Sequence, residues 1–330
     1  MLLRYPSYFE QFRCIAAACP DSCCKEWDVA VDGDSARIYR RMHGALGEDL
    51  RRHLYEEEGE WYFAITDGRC PMWRADGLCR IQAELGHDAL CKTCREFPRL
   101  THDYGVFTEY GLELSCPEAA GMILSALEGW TEREVPGGEA PEYDREAMQV
   151  LLRTRQEALA LLRQDRPVGE TLALLMKYGY QAQTELDGGQ SLPFDPEKAL
   201  QEARGFARDG DEKAVLAFFK DLEILSPDWL QRLEHPEPGP WLPQLRNLAR
   251  YFVERYWLQA VSDYDLVGRV KLAVISCVTI RILGGDLLQT AQMYSKEIEN
   301  DADNVCAILD GAYEAPAFTD EKILSLLLEI

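Results

Sequence analysis

Nine of the eleven cysteines of this 330-residue chain lie within the first 116 residues. The densest stretch runs from Cys14 to Cys24, with four cysteines in eleven residues and two of them adjacent. Thiolates are soft ligands that suit zinc, copper(I) and iron–sulfur clusters. Because Pro20 and Ser22 also place this stretch near a turn, the spacing favours metal binding over packing. The nine are Cys14, Cys19, Cys23, Cys24, Cys70, Cys79, Cys91, Cys94 and Cys116.

Three alternatives to metal binding are weighed. Buried cysteines behave as small hydrophobic residues, but the turn residues around Cys19 and Cys23 argue against burial. Disulfides need an oxidising compartment, whereas the N-terminus lacks the apolar core and cleavage site of a signal peptide, so we expect a cytoplasmic protein. Cys91 and Cys94 have the spacing of a redox motif, but no thioredoxin-like strand, turn and helix surround them.

The identity of the metal stays open between iron and zinc. The side chains of adjacent residues in an extended segment diverge, which makes it awkward for Cys23 and Cys24 to bind one tetrahedral zinc. A cluster offers separate irons, or the two cysteines serve different sites. Zinc knuckles use two short Cys-x2-4-Cys pairs, whereas the later cysteines here are dispersed. A radical-SAM motif is excluded because its third ligand would fall on Glu26.

Composition limits the classes of function. With 47% hydrophobic residues the chain can form two domains or one large domain. The formal net charge of −22 disfavours a nucleic-acid partner, and it weakly favours a lysine-rich protein. The most apolar run, Val270 to Leu283, is short and contains Lys271 and Arg281. We therefore expect a soluble protein with no transmembrane segment. The sequence indicates no oligomeric state.

The pattern of the chain changes at a turn-rich, acidic segment from Glu134 to Glu142. Beyond it, apolar residues recur at helical spacing to the C-terminus. We therefore predict an α+β, mainly α fold, with a cysteine-rich, metal-stapled domain at 1–130 and a mainly helical domain at 140–330 on the substrate or partner side. Predicted elements of the first domain are strands at 27–32 and 61–65, a helix with an apolar stripe from Ile38 to Leu54, a short helix at 82–85, a hairpin within 106–114 and a helix at 118–127.

Common catalytic signatures are absent from the sequence. It contains no glycine-rich dinucleotide loop, no Walker loop, no His-Glu-x-x-His and no Gly-x-Ser-x-Gly. Of the five scattered histidines, His87 and His102 lie nearest the cysteines and are kept as possible ligands. Cys277 and Cys306 lie in apolar helical segments, and we predict that both belong to the core.

Seven motifs occur in order within residues 5–125. They are Phe12-Arg-Cys14, Cys19-x3-Cys23-Cys24-x2-Trp27, Cys70-Pro71, Leu78-Cys79-x-Ile81-Gln82, Leu85-Gly86, Thr93-Cys94-x2-Phe97-Pro98-Arg99 and Leu114-Ser115-Cys116-Pro117-Glu118-Ala119-Ala120. Together they resemble the flagellin lysine-N-methylase family, which is related to small zinc- or iron-chelating domains. A weaker similarity returns near Tyr251 to Trp257 and from Tyr294 to Glu299, followed by Asn304.

The resemblance implies an enzyme that methylates lysine ε-amino groups of a protein substrate such as flagellin. It implies S-adenosylmethionine as methyl donor and an oxygen-sensitive [4Fe-4S] cluster, with zinc as an alternative or additional metal. Cys91 is left out of the ligands because a serine is expected at its position, and Asn300 stands where the family has His or Tyr. The implied ligands are drawn from Cys14, Cys19, Cys23, Cys24, Cys70, Cys79, Cys94 and Cys116.

We expect a cleft where the cysteine-rich domain meets the helices. Arg95 and Arg99, beside Cys94, are predicted to hold the carboxylate of S-adenosylmethionine, and Glu297 is predicted to face the lysine ammonium. Two other hypotheses stay open. One is a non-catalytic zinc- or iron-binding interaction module, which the missing S-adenosylmethionine motif favours, and the other is a metal-dependent oxidase of a cysteine-containing peptide.

Overall fold

The computed structural model describes residues 1–25, 29–125 and 129–329. Helices, short 3-10 helices included, hold 58% of the described residues, and strands with isolated bridges hold 12%, which confirms the predicted α+β, mainly α class. The strands are β1 Leu2–Pro6, β2 Val29–Val31, β3 Leu54–Glu57, β4 Glu60–Phe63, β5 Arg99–Asp103, β6 Phe107–Leu112 and β7 Trp130–Glu134. The helices before β7 are α1 Gly33–Arg41, α2 Gly44–His53, α3 Arg80–Leu85, α4 Lys92–Glu96 and α5 Pro117–Ser125.

The rest of the described chain is helical. These helices are α6 Arg145–Leu162, α7 Val168–Leu186, α8 Pro196–Phe206, α9 Glu212–Lys220, α10 Pro227–Glu234, α11 Gln244–Tyr256, α12 Leu266–Leu283, α13 Leu287–Ile298, α14 Ala302–Glu314 and α15 Asp320–Leu328. An aspartate side chain accepts from backbone N–H groups at the start of many of them, including Asp144, Asp195, Asp211, Asp265 and Asp301. Such caps satisfy donors that a helix leaves unpaired at its first turn.

The first sheet has the strand order β5-β6-β1-β7. β1 runs parallel to β6 and antiparallel to β7, so the N-terminus is built into the sheet. The hairpin predicted within 106–114 is wrong in its extent, because 107–112 forms the single strand β6, which pairs antiparallel with β5. The turn lies at Gly105, whose φ of +72° is a conformation that glycine adopts without strain.

The second sheet has the order β2-β4-β3 with antiparallel neighbours. β2 and β4 match the two predicted strands, although positions 27 and 28 lie outside the described residues, as do 126 and 127 of the predicted helix that forms α5. The helix predicted from Ile38 to Leu54 is wrong in its extent. Met42 and His43 have extended backbones, and they divide it into α1 and α2. Ile38 is 61% exposed.

Two hydrophobic cores organise the described residues. The smaller core lies within residues 29–94 and includes Val29, Tyr39, Leu50, Phe63 and Cys91. The larger core combines the helices after β7 with Phe12, Phe107 and Ile123. The first sheet and α5 therefore pack with the later helices, while the second sheet has a core of its own. The division at 1–130 and 140–330 stays a prediction.

Helix α12 runs through the middle of the larger core. Its residues are buried on nearly every side, including Lys271, whose Nζ donates to Phe318 O at 2.8 Å and Asp320 Oδ1 at 3.0 Å. Cys277 is fully buried in this helix, as predicted, but Cys306 is exposed on α14, so the prediction that it is a core residue is wrong. None of the described helices combines the length and the low charge needed to cross a membrane.

Candidate functional site

The larger thiol group comprises six cysteines from dispersed parts of the chain: Cys23, Cys24, Cys70, Cys79, Cys91 and Cys94. The Cys70 thiol interacts electrostatically with those of Cys79, Cys91 and Cys23, and the Cys94 thiol interacts with those of Cys91, Cys24 and Cys23. Backbone contacts hold the segments in place, since Cys70 N donates to Cys24 O at 2.7 Å. The fold thus gathers cysteines that are up to 71 positions apart in the sequence.

Two details of this group differ from expectation. The side chains of Cys23 and Cys24 hydrogen-bond to each other, which raises the pKa of Cys23, so the adjacent side chains converge instead of diverging. Cys91 was left out of the implied ligands, yet it lies in the larger thiol group. Its side chain hydrogen-bonds to Cys94, and this bond lowers the pKa of Cys91 and raises that of Cys94.

The smaller thiol group comprises Cys14, Cys19 and Cys116. The Cys116 thiol interacts with those of Cys19 and Cys14, and burial raises its pKa to about 11. Backbone N–H groups of Glu118 and Ala119, in the first turn of α5, hydrogen-bond to this sulfur and oppose the rise. Because Cys19 also interacts with Cys23, the two thiol groups are neighbours.

The chemistry of the thiol donors fits zinc or an iron–sulfur cluster. All eleven cysteines lie in the described residues, and none of them is in a disulfide. As positioned, no three Cys, His, Asp or Glu side chains within residues 1–25, 29–125 and 129–329 stand close enough to hold one metal ion. The assignment of individual ligands therefore stays a prediction.

Asp21, between the two thiol groups, binds the cysteine-rich stretch to α13. Its Oδ2 accepts from Lys296 Nζ at 3.0 Å and from Gln292 Nε2 at 2.8 Å, and its Oδ1 lies 2.8 Å from Lys25 Nζ. Although burial acts to raise the pKa of Asp21, the bonds from Lys25 and Lys296 lower it to about 2. The Asp21 carboxylate is therefore charged, and its hydrogen bonds hold the cysteine-rich stretch against α13.

A cleft of about 320 Å³ lies where α4 meets the end of α13, and we call it the junction cleft. Among the described residues, three carboxylates line it, those of Glu96, Glu113 and Glu299, together with a single guanidinium, that of Arg99. Thr93, Phe97 and Asn300 complete the lining. Thr93 is adjacent to Cys94, so the cleft begins beside the larger thiol group. Its charge suits a cationic side chain.

Glu299 is held by four donors. Its carboxylate accepts from Tyr251 Oη at 3.0 Å, Tyr256 Oη at 2.9 Å and Ser295 Oγ at 2.6 Å, and it lies 3.1 Å from Arg255 Nη1. This many hydrogen bonds occupy most of the acceptor positions of the carboxylate and fix its orientation. Glu299 is therefore a carboxylate held in one position at the floor of the junction cleft.

Glu113, directly after β6, is held more loosely. Ser115 Oγ lies 3.4 Å from its Oε2, and Arg255 Nη2 lies 3.7 Å from its Oε1. Burial raises the pKa of Glu113, Arg255 opposes that rise, and the charge of Glu299 adds to it. A carboxylate with a raised pKa and an unfilled acceptor position is suited to take up a proton.

The predicted binding residues are only partly brought together. Arg99 lines the junction cleft, with its guanidinium 5.2 Å from the centre of the Phe12 ring. Arg95 is half-buried, and its closest partner is Leu90 O at 3.5 Å. Glu297 is buried, and its Oε2 accepts from Leu225 N at 2.8 Å, so it supports the α9–α10 connection instead of lining the cleft. Their functional roles stay predictions.

The sequence reasoning missed Glu113, Arg255 and Glu299 as site residues. The weak similarity near Tyr251 and Tyr294 was the available signal, because these two segments meet at Glu299. Of the histidines, His87 is exposed. Burial lowers the pKa of His102, whose Nε2 is buried without a hydrogen-bond partner among the described residues.

Comparison with known proteins gives three relatives. The flagellar biosynthetic protein FliU of Salmonella muenchen is 34% identical over 127 residues, which covers 36% of this chain and 75% of that protein. A lysine-N-methylase of Salmonella typhimurium and one of Salmonella choleraesuis are each 33% identical over 127 residues, again 36% of this chain. The match spans only 32% of the length of these two proteins. No family model and no solved structure matches the chain.

Proposed function

The chain belongs to the flagellin lysine-N-methylase family, and from this premise we propose that it is an S-adenosylmethionine-dependent protein lysine N-methyltransferase with a cysteine-ligated [4Fe-4S] cluster. The observation that carries the proposal is the match to two proteins named lysine-N-methylase. The acidic junction cleft supports it, because a lysine side chain is a cation. Flagellin is the proposed protein substrate.

The larger thiol group is the proposed place of the cluster. A [4Fe-4S] cluster takes four thiolates, and Cys23, Cys24, Cys70, Cys79, Cys91 and Cys94 offer six. The smaller thiol group, Cys14, Cys19 and Cys116, is then left for a structural zinc or for support of the fold. When bound, the cluster would supply one-electron redox chemistry and would tie four chain segments together.

The junction cleft is the proposed place of the substrate lysine. The Glu299 carboxylate accepts a hydrogen bond from the ammonium, and Phe97 offers an apolar surface to the methylene groups of the side chain. Transfer requires a neutral amine held in line with the sulfonium methyl group. Glu113 takes one proton from the ammonium, the amine nitrogen then forms its bond to the methyl carbon, and the bond from that carbon to sulfur breaks. S-adenosylhomocysteine leaves with the electron pair of the broken bond.

Two measurements on anaerobically purified protein test this proposal. Metal analysis is expected to give about four irons per chain with matching acid-labile sulfide, and equilibrium dialysis is expected to show S-adenosylmethionine binding to the metal-loaded chain. Zinc alone with no sulfide would remove the cluster from the proposal. Metal-loaded protein that binds no S-adenosylmethionine would favour the interaction module, and peptide-dependent oxygen consumption would favour the oxidase.

A further inference from the structure

A second cavity, of about 70 Å³, lies between β7 and the helices α6 and α11. We call it the arginine pocket, because Arg163, Arg246 and Arg250 line it. Gln156 and Asn247 add amide groups, and Glu254 is the one carboxylate that the described residues contribute to the lining. None of these residues belongs to the thiol groups or to the junction cleft.

The guanidinium of Arg246 has hydrogen-bonding capacity left over. Its Nη2 donates to Arg166 O, and no carboxylate of the described residues forms an ion pair with it. Its Nε is buried and has no acceptor in the described part of the chain. Arg155, by contrast, has a counter-charge, because its Nη1 and Nη2 both donate to the Glu109 carboxylate, at 2.7 and 2.6 Å. Arg246 is half-buried, and a guanidinium that is partly removed from water without a counter-charge is costly, so Arg246 is suited to an anion that enters from outside.

Arg250 is only partly neutralised. Its Nε lies 4.0 Å from Glu254 Oε1, too far for a hydrogen bond, and this Nε also lacks an acceptor among the described residues. The same Oε1 accepts from Trp130 Nε1 at 3.1 Å. Arg163 is exposed at the end of α6, at the mouth of the pocket. Three guanidiniums thus face one carboxylate that is already hydrogen-bonded, in a chain whose net charge is −22.

The size of the pocket limits what it can hold. A cavity of about 150 Å³ takes a benzene molecule, so about 70 Å³ suits a group of a few atoms, such as a phosphate or a carboxylate. A nucleoside is too large. Guanidinium groups recognise both anions by paired hydrogen bonds, and the amide N–H group of Gln156 can add to them.

We propose that the arginine pocket binds an oxyanion group, with Arg246 and Arg250 as its inner ligands and Arg163 at its mouth. The occupant is either free inorganic phosphate or the carboxylate at the amino-acid end of a larger ligand, and S-adenosylmethionine is the candidate that the proposed function supplies. The phosphate alternative does not rest on the proposed function, whereas the carboxylate alternative does.

Calorimetric titration of inorganic phosphate into the metal-loaded full chain is the first test. We compare the natural chain with Arg163→Gln and Arg246→Gln, and with Arg41→Gln as a control that makes the same charge change at an exposed position on α1. Phosphate affinity is expected to fall by about tenfold or more in both pocket variants and to stay unchanged in the control. Arg163→Gln keeps the test valid if Arg246→Gln fails to fold, because Arg163 is exposed.

The second test distinguishes the two sources of the oxyanion. S-adenosylmethionine and methylthioadenosine, which lacks the amino-acid end, are titrated into the same four proteins. The carboxylate is identified as the occupant if the pocket variants bind S-adenosylmethionine more weakly but methylthioadenosine equally well, and if phosphate competes with S-adenosylmethionine. Arginine-dependent phosphate binding without that competition identifies free phosphate. Two results would overturn the proposal whatever the outcome for methyl transfer. One is that all four proteins bind phosphate with equal affinity and also bind S-adenosylmethionine with equal affinity. The other is that none of them binds phosphate or S-adenosylmethionine.

Discussion

Lys296 Nζ donates to Asp21 Oδ2 at 3.0 Å across 275 positions of sequence. The bond joins the turn between the two thiol groups to α13, and the next turn of the chain after α13 begins with Glu299, at the floor of the junction cleft. Gln292 reinforces the contact, since its Nε2 donates both to Asp21 Oδ2 and to Ser115 O, next to Cys116. Helix α13 therefore connects the cysteine-rich stretch to the junction cleft.

Asp21→Asn is expected to loosen this link. The variant keeps the shape of the side chain but loses charged hydrogen bonds to Lys25 and Lys296, so the free energy of unfolding should fall by about 1.5–3 kcal/mol. Denaturant titration measures the change, and limited proteolysis should show earlier cleavage near residues 14–25. Asp34→Asn, at an exposed carboxylate on α1, is the control, with an expected change within about 0.5 kcal/mol. Equal stability of the two variants would show that the bond does not hold the stretch.

Cys91→Ser is expected to lower the iron content of anaerobically purified protein. The reason is that Cys91 hydrogen-bonds to Cys94 within the larger thiol group, although the sequence resemblance excluded it. Cys306→Ser changes an exposed cysteine outside both thiol groups and should keep the full iron content. Iron and sulfide are measured together. If Cys91→Ser keeps the iron content of the natural protein while Cys94→Ser loses iron, the ligands are restricted to the set that the resemblance implies.

Glu113→Gln is expected to lower kcat by roughly 10²–10⁴-fold, the contribution of a general base. Because burial raises the pKa of Glu113 and the base must be ionised, kcat/KM of the natural enzyme should rise as the pH increases through that raised pKa. Glu299 strengthens the shift and Arg255 opposes it, while Glu96 and Arg99 face the same cleft. The variant should lose this acidic limb of the pH profile.

Glu297→Gln is the matched comparison for that variant. An amide oxygen can still accept from Leu225 N, so the fold should persist and kcat should stay close to that of the natural enzyme. If Glu297→Gln loses activity with natural iron content while Glu113→Gln keeps it, the base is Glu297, as predicted from the sequence.

Metal removal should act on the two hydrophobic cores unequally. Five of the six cysteines of the larger thiol group belong to the smaller core or pack against it. Metal binding in small thiolate modules contributes on the order of 10 kcal/mol of folding free energy. After chelation, we expect proteases to cleave residues 29–94 first while α6 to α15 stay resistant. Equal resistance of both parts would show that metal does not support the smaller core.

The class of the fold was predictable because helical periodicity extends from residue 145 to the C-terminus. The sheet order was not, since β1 pairs with β6 and β7, more than 100 residues away, and only long-range pairing determines that register. β7 was missed because its sequence, Trp-Thr-Glu-Arg-Glu, is charged and its residues are largely exposed, so it lacks the apolar alternation of a half-buried strand.

The candidate site was predictable in its residue types more than in its geometry. Thiol density indicated metal from the sequence alone. Which thiols become neighbours depends on long-range backbone contacts, such as the hydrogen bond from Cys70 N to Cys24 O. Glu297 and Glu299 could not be distinguished by sequence. They are two positions apart near the end of one helix, and Glu297 faces Leu225 whereas Glu299 faces Tyr251 and the junction cleft.

The central claim is that this chain transfers a methyl group from S-adenosylmethionine to lysine in a protein. The most direct measurement incubates the anaerobically purified, iron-loaded chain with flagellin and S-adenosylmethionine labelled at its methyl group, and locates the label by peptide mass spectrometry. We predict label on lysine side chains with the natural chain and with Arg41→Gln, none with Cys94→Ser, and labelling slowed by roughly 10²-fold or more with Glu113→Gln. Iron-loaded chain that binds S-adenosylmethionine yet labels no lysine of flagellin or of other lysine-rich proteins would contradict the account.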